Sequence, residues 1–296
     1  MYAGCIFLPN NWTCYMGNIV WLASYPKSGN TWLRAFIYNL IERPAKPGRI
    51  DILPNYFESE SAPRWYLPLT GDRDLAECGS EEIIAMKSEV HRQIAASRPR
   101  GSIFTKTHNR FGSFNDHPLH NISVMAAAIY VVRNPLDVVL STADHFGLDV
   151  DETIEFMANE ETGTPSDLEN VVSFLGSWST HVQSWTQQAH DQIVVLRYED
   201  MLDKPLKAFG QVAKLIDLGK DKDAIKRAIR FSSFAELKKQ ENRDGFIERS
   251  PNSKSFFRKG RKNQWIEGLN NEQVARIVEQ HREQMERYKY IPPRFR

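Results

Sequence analysis

The chain has 296 residues, of which 41% are hydrophobic and 25% are charged, and its formal net charge is +1. These proportions are typical of a soluble globular protein, and the balanced charge argues against bulk attraction to nucleic acid or to a membrane surface. Cys5, Cys14 and Cys78 are too scattered for a disulfide framework, and the absence of C-x-x-C argues against a zinc site. Because no apolar stretch approaches the ~20 residues of a membrane span, we expect a cytoplasmic protein without a metal.

Residues 1–15 precede the first predicted strand and lack the basic start and the long apolar core of a signal peptide. We therefore interpret them as an N-terminal extension that is dispensable for folding. The functional domain is expected to cover residues 16–296.

Four short apolar runs predict buried strands, at residues 19–23, 102–105, 126–132 and 192–196. Each run is short and rich in valine or isoleucine, and helical patterns separate one run from the next. This alternation indicates a single α/β domain whose central parallel sheet is covered by helices on both faces.

The helices themselves are predicted from their starting residues. Asn134 and Pro135 suit the cap and the first turn of a helix that runs to about Phe146. Asp167 predicts the start of a long helix over residues 167–190, and Pro205 predicts another start. A polar helix is expected over residues 271–288.

Two segments read as insertions over the sheet. Residues 43–71 are rich in proline and contain four aromatic residues, Tyr56, Phe57, Trp65 and Tyr66, whereas residues 147–165 are acidic. Long loops in a compact domain are usually functional or mobile, so these segments either serve the site or decorate the surface.

The loop between the first strand and the first helix has the sequence S-Y-P-K-S-G-N-T-W, at residues 24–32. Such a loop presents backbone N–H groups at a helix N-terminus, where an anion binds well. In a P-loop the pattern is G-x-x-x-x-G-K-[ST], which aligns Asn30 with the lysine and leaves Lys27 two residues before Gly29. The pattern therefore predicts a P-loop-like site for an anionic nucleotide other than Mg-ATP.

Residues 24–32 resemble the 5′-phosphosulfate-binding loop of the cytosolic-type sulfotransferases. The segment Y-V-V-R-N-P-L-D-V-V-L-S, at residues 130–141, resembles that family's second motif, and the resemblance spans most of residues 16–265. The opening residues are most similar to bacterial members. The resemblance implies transfer of a sulfuryl group from 3′-phosphoadenosine-5′-phosphosulfate (PAPS) to a hydroxyl or amine, with 3′,5′-adenosine bisphosphate as product and no metal.

The resemblance also assigns the donor site. It gives the phosphosulfate-binding loop to Lys27, Ser28, Gly29, Asn30 and Thr31, with Lys27 at the bridging oxygen. It gives the 3′-phosphate to Arg133, Ser141, Arg258, Lys259 and Gly260, and the adenine slot to Trp32, Tyr198, Ser233 and Phe234. Two alternatives stay open: that Arg133 pairs with Asp137 one turn along the helix, and that the lysines and arginines over residues 254–262 bind RNA or anionic lipid.

Lys106-Thr107-His108 follows the second predicted strand and resembles the family's Lys-x-His, whose histidine is the general base. A histidine titrates near neutral pH, which suits it to accept the proton of an acceptor hydroxyl. The resemblance implies that Lys27 stabilises the departing phosphate oxygen, that Lys106 adds positive charge, and that Ser141 holds Lys27 away until the acceptor arrives. His145 is a second candidate to face the acceptor, and the remaining histidines are expected to have no catalytic role.

Two other functions remain as alternatives. An atypical P-loop kinase is disfavoured by Asn30 and by the absence of an aspartate at the end of the third strand. A non-catalytic module that binds adenosine bisphosphate is a further alternative. The acceptor is expected to be a small molecule or natural product, and the aromatic residues of 43–71 either favour an aromatic or hydrophobic acceptor or simply pack against the domain. The family's usual dimerisation segment is not matched at residues 265–270, so the oligomeric state is open.

Overall fold

A parallel sheet of five strands, in the order β2-β3-β1-β6-β9, forms the centre of the molecule in a computed structural model that describes residues 18–71, 73–98, 100–187 and 192–296. The predicted N-terminal extension, 1–15, and His190 lie outside the described residues. The strands are β1 (Ile19–Ser24), β2 (Glu58–Ser59), β3 (Ile103–Thr107), β4 (Ser113–Phe114), β5 (His117–Pro118), β6 (Met125–Val132), β7 (Gly163–Thr164), β8 (Ser173–Phe174) and β9 (Ile193–Arg197). Strands β4 and β5, and likewise β7 and β8, form small antiparallel pairs.

Helices connect the strands in chain order. They are α1 (Asn30–Glu42), α2 (Leu53–Tyr56), α3 (Ser80–Ser97), α4 (Pro135–Phe146), α5 (Val150–Ala158), α6 (Trp178–Thr186), α7 (Tyr198–Asp203), α8 (Pro205–Leu215), α9 (Lys222–Phe231), α10 (Phe234–Asp244), α11 (Trp265–Gly268) and α12 (Asn271–Arg287). In the part of the chain that the structure describes, no helix is both long and apolar enough to cross a membrane.

Alternate residues of β1 enter two different hydrophobic cores. Trp21 and Ala23 pack on one face of the sheet, whereas Val20 and Leu22 pack on the other face against α1. Because successive side chains of a strand point to opposite faces, a strand that is apolar throughout needs cover on both sides. The predicted α/β fold, with a parallel sheet between two layers of helices, is confirmed.

The carboxyl ends of three neighbouring strands meet at one edge of the sheet. Ala23 of β1 lies between Thr107 of β3 and Tyr130 of β6 in the strand register. Ligands of open α/β sheets bind at this edge, and the loop 24–32, His108 and Arg133 all follow these strand ends.

The long helix predicted over residues 167–190 is wrong. The Asp167 carboxylate accepts the N–H groups of Glu169 and Asn170, but the chain then forms β8 and a left-handed turn at Gly176, where φ is 67°. Ser177 caps the helix instead, and α6 ends at Thr186. A glycine with positive φ interrupts the helical backbone, so the cap at Asp167 begins only a turn.

The two segments predicted as loops contain regular secondary structure. Residues 43–71 supply the edge strand β2, which pairs with β3. Residues 147–165 contain α5, which begins with a reciprocal capping box between Asp149 and Glu152. The first insertion therefore becomes part of the sheet directly beside the strand that carries Lys106.

Candidate active site

A cavity of about 850 Å³ opens at the carboxyl edge of the sheet. All but two of the predicted site residues line it: Lys27, Gly29, Asn30, Thr31, Trp32, Lys106, His108, Arg133, Ser141, Tyr198, Phe234, Arg258, Lys259 and Gly260. Ser28 is a buried residue of the loop, and Ser233 caps α10 by accepting the N–H of Glu236. Residues that are far apart in the chain thus converge on one site.

The loop before α1 has a backbone that favours glycine at one position. Gly29 has φ 109°, and a Cβ atom built there would lie 2.8 Å from the ring of Tyr198. Lys27 also has positive φ, at 65°. The Asn30 side chain donates to the carbonyl of Leu22 at 2.8 Å, so it ties the loop to the end of β1. The result is a tight turn directly before the N-terminus of α1, which is a favourable place for an anion.

Two residues that the sequence did not predict, Arg34 and Glu248, form hydrogen bonds with the hydroxyl of Thr31. Glu248 accepts from Thr31 at 3.2 Å, and it forms a two-point ion pair with Arg34 at 2.8 and 2.6 Å. Burial alone would raise the pKa of Glu248, but Arg34 and Lys106 hold it well below its usual range. No local sequence motif predicts this cluster, because 214 positions separate Arg34 from Glu248.

Both the backbone carbonyl and the side-chain ammonium of Lys27 have partners. Its carbonyl accepts from Arg133 at 2.9 Å. Its ammonium lies 3.4 Å from Nδ1 of His145 and 4.2 Å from the centre of the Phe256 ring. Burial, together with the charges of Arg133 and Lys106, lowers the pKa of Lys27 to about 8. In the described part of the chain, the partner of the Lys27 ammonium is therefore His145, whereas Ser141 lines the cavity without contacting it.

Arg133 does not form the alternative pair with Asp137. Its guanidinium lies over the ring of Tyr198, 4.4 Å from the centre, and its buried Nε has no partner in the described residues. The Asp137 carboxylate instead accepts the N–H groups of Asn263 and Trp265 at 2.8 and 3.1 Å. Asp137 thus anchors the segment that follows Gly260, which leaves the guanidinium of Arg133 available to a ligand.

The segment over residues 258–260 closes one side of the cavity. Arg258 donates to the carbonyl of Leu140 at 3.0 Å and lies 3.4 Å from the Asp144 carboxylate. Gly260 has φ 57°, and a Cβ atom there would lie 2.1 Å from the Phe234 ring. The close approach of backbone to ring places Phe234 against the same wall as Arg258.

His108 adopts a defined tautomer. Its Nδ1 lies 2.8 Å from the carbonyl oxygen of Ser24, and a carbonyl can only accept, so Nδ1 carries the proton. Burial and the nearby Lys106 lower the pKa of His108 to about 3. The ring is therefore neutral at pH 7, and its Nε2 lone pair, which bonds to no described residue, can accept a proton.

The aromatic residues of 43–71 mostly do not face the cavity. Tyr66 is fully buried, the Tyr56 hydroxyl donates to Glu42 at 2.6 Å, and Trp65 packs against the core. Phe57 alone of the four lines the cavity. Its neighbours on that side are largely polar and include Asn55, Glu58, Ser59, Ser61, Arg64 and Asn170. All four nevertheless pack against the domain, since Phe57 is itself only 2% exposed and belongs to the core on the α1 side of the sheet.

Comparison with known proteins places the chain beside one enzyme class. The sequence model of the family described as "Sulfotransferase domain" matches residues 18–289. Flavonol 3-sulfotransferase of Flaveria bidentis is 24% identical over 273 residues, which cover 88% of this chain and 79% of that protein. Sulfotransferase 2A2 of Mus musculus is 28% identical over 254 residues, which cover 82% of this chain and 76% of that protein.

Solved structures share the fold. Mouse sulfotransferase SULT7A1 complexed with PAP has a TM-score of 0.59 at 21% identity, and the match covers 92% of this chain and 85% of that one. Retinol dehydratase in a complex with retinol and PAP has a TM-score of 0.60 at 17% identity, covering 91% and 81%.

Proposed function

Because this chain belongs to the sulfotransferase family, we propose that it transfers a sulfuryl group from PAPS to a hydroxyl or amine of a small-molecule acceptor. The observation that carries the proposal is the neutral His108, with Nδ1–H bonded to Ser24, in the same cavity as the phosphate loop, Lys27 and Lys106. A general base, two cations and an anion-binding loop are the groups that such a transfer needs.

The cavity suits a donor with two separated anionic groups. The loop and the N-terminus of α1 would hold the 5′-phosphosulfate, and Arg133, Ser141, Arg258 and Lys259 would hold the 3′-phosphate. Arg133 lines the cavity with its guanidinium over the ring of Tyr198, and it forms no ion pair with a carboxylate of the described residues, so its charge is free to pair with a phosphate. The PAP in two structurally similar proteins supports this assignment.

The adenine would lie between aromatic side chains. Trp32 and Tyr198 meet edge to face at 5.6 Å, and Phe234 lines the same cavity. Aromatic rings offer an adenine base apolar surface to stack on, which supports a place for the base beside these three residues.

The chemical step is an in-line displacement at sulfur. Nε2 of His108 takes the proton of the acceptor as the acceptor oxygen or nitrogen forms its bond to sulfur. The bond from sulfur to the bridging oxygen breaks, and its electron pair stays on the departing phosphate. Lys27 stabilises that growing negative charge, and Lys106 offsets the charge of the sulfuryl oxygens. The products are the sulfated acceptor, 3′,5′-adenosine bisphosphate and a proton.

The test uses the purified protein with labelled PAPS and a panel of phenols, steroids, sugars and glycopeptides. We expect a sulfated product, and we expect His108→Ala and Lys27→Ala to abolish it while the protein stays folded. Near-normal turnover in His108→Ala would remove the proposed base.

Calorimetry separates this function from its rivals. We expect 3′,5′-adenosine bisphosphate to bind tightly and to bind equally in EDTA. A preference for Mg-ATP would support a kinase instead, and tight binding without turnover across the whole acceptor panel would support a non-catalytic module.

A further inference from the structure

A buried carboxylate lies next to the proposed base. Glu60 follows β2, is 1% exposed, and accepts hydrogen bonds through both oxygens. Oε2 accepts from Lys87 at 3.3 Å and from His91 at 3.0 Å, and both of these residues belong to α3. Oε1 accepts from the Thr107 hydroxyl and from the Asn109 amide. The two oxygens therefore serve two different parts of the fold.

The residues on Oε1 are the two neighbours of His108 in the chain. The backbone N–H of Glu60 also donates to the carbonyl of Lys106 at 3.2 Å. Glu60 thus contacts Lys106, Thr107 and Asn109, which together bracket the base. His181 completes the support by donating to the carbonyl of His108 at 3.0 Å.

Glu60 also belongs to one wall of the cavity, which it lines together with its chain neighbours Glu58, Ser59 and Ser61. The same residue therefore connects this cavity wall, the base and α3. A shift of about 1 Å at a reacting group can cost a hundredfold in rate, so a fixed distance between wall and base has catalytic value.

A buried carboxylate is not in general the most stable choice for such a position. The attraction within a buried ion pair is largely offset by the desolvation of both charges, and apolar residues of the same volume often serve as well. Burial would raise the pKa of Glu60, but Lys87 and His91 keep it well below its usual range, so the group stays ionised. An ionised carboxylate gives strong, directional hydrogen bonds to Thr107 and Asn109.

We propose that Glu60 is a positioning residue for His108: Oε1 fixes the residues on either side of the base, and Oε2 anchors that arrangement to α3. This inference rests on the proposed role of His108 as general base. It assigns Glu60 no contact with donor or acceptor atoms.

Two double variants test whether an acceptor oxygen is needed at position 60. Glu60→Gln with Lys87→Met keeps one acceptor oxygen, and Glu60→Met with Lys87→Met removes both, while charge and volume stay matched. We expect kcat per folded enzyme to be on the order of ten- to a hundredfold lower in the second variant than in the first. The affinity for 3′,5′-adenosine bisphosphate should be equal in the two, because the donor loop is untouched.

A second, less disruptive pair of variants applies if Glu60→Met with Lys87→Met does not fold. Thr107→Ser keeps the hydroxyl that donates to Glu60, and Thr107→Val removes it, so kcat should fall in the valine variant alone. Equal kcat within both folded pairs, with His108→Ala inactive, would overturn the role of Glu60 and leave the proposed function standing. Turnover that survives in His108→Ala would overturn both.

Discussion

The ammonium of Lys27 lies 3.4 Å from Nδ1 of His145, a residue one turn beyond Ser141 on α4. Burial and the charges of Lys27 and Lys106 lower the pKa of His145 to about 4, so the ring is neutral near pH 7 and its Nδ1 can accept from the ammonium. His145 and the Phe256 ring thus hold the Lys27 ammonium in one position. Under the proposed mechanism, Lys27 has to leave that position to reach the bridging oxygen of the donor.

Removal of this resting position should raise the hydrolysis of PAPS in the absence of an acceptor. Loss of one net hydrogen bond of about 0.5–1.5 kcal/mol corresponds to roughly a two- to tenfold rise in His145→Ala. His145→Asn retains an acceptor oxygen near the position of Nδ1 and should show a smaller rise. Release of labelled sulfate measures both variants, and an unchanged rate in folded His145→Ala would show that His145 does not restrain Lys27.

The pH profile should lack the acid limb of an ordinary histidine. The pKa of His108 is lowered to about 3, so the base stays deprotonated from pH 5 upwards, and protonation costs activity only towards pH 3. The pKa of Lys27 is lowered to about 8, so kcat/KM should fall as pH rises through 8 and the ammonium is lost.

An aliphatic alcohol that does not titrate in this range is the suitable acceptor for that measurement. Lys27→Arg provides the control, because a guanidinium stays protonated and should move the alkaline limb upwards. An acid limb centred near 6.5 in the wild-type protein would contradict the environment described for His108.

Gly29 should be irreplaceable for two separable reasons. Gly29→Ala strains a backbone with φ 109° and also pushes a methyl group to 2.8 Å from Tyr198. Gly112→Ala is the matched control, since its φ is 127° and no atom lies within 4 Å of the added Cβ. The control should lose about 1–3 kcal/mol of stability from backbone strain alone.

Gly29→Ala should lose more, and it should also weaken the binding of 3′,5′-adenosine bisphosphate. Thermal unfolding and calorimetry measure the two effects. If both variants lose the same stability and both bind the nucleotide normally, then the contact with Tyr198 has no role in the site.

The ion pair of Arg34 and Glu248 should stabilise the fold in a pH-dependent way. The pKa of Glu248 is lowered in the folded state. The ion pair therefore contributes fully to the free energy of unfolding above the ordinary carboxyl pKa, and this contribution is lost as pH falls from there towards the lowered pKa of the folded state. Glu248→Gln should cost about 2 kcal/mol at pH 7, the scale of a charge-assisted hydrogen bond.

The difference in the free energy of unfolding between Glu248→Gln and the wild-type protein should become smaller below about pH 4.5, where the carboxylate is protonated in the unfolded chain. Asp223→Asn, which alters an exposed pair with Lys226, should leave the free energy of unfolding nearly unchanged at every pH. Denaturant titrations across pH give the comparison, and a constant gap would mean that Glu248 is not paired as described.

Much of the fold follows from patterns that are local in the chain. The apolar runs predict β1 and β6, which are buried along their whole length because both faces of the sheet are covered there. They also predict β3 and β9, although β3 ends in polar residues and β9, at the edge of the sheet, is mostly half-buried. The long helix predicted from Asp167 was wrong because a cap alone does not make a helix, and Gly176 and Ser177 start α6 later.

The loop 24–32 and the strand ends that carry His108 and Arg133 could be read from local sequence patterns, because a tight turn and a short apolar strand depend on neighbouring residues. The partners of these groups could not, because they come from distant parts of the chain. Lys27 meets His145 across 118 positions, and Thr107 meets Glu60 across 47. Such contacts leave no period or spacing in the chain, since they arise only where the packing of the folded chain brings distant polar groups together.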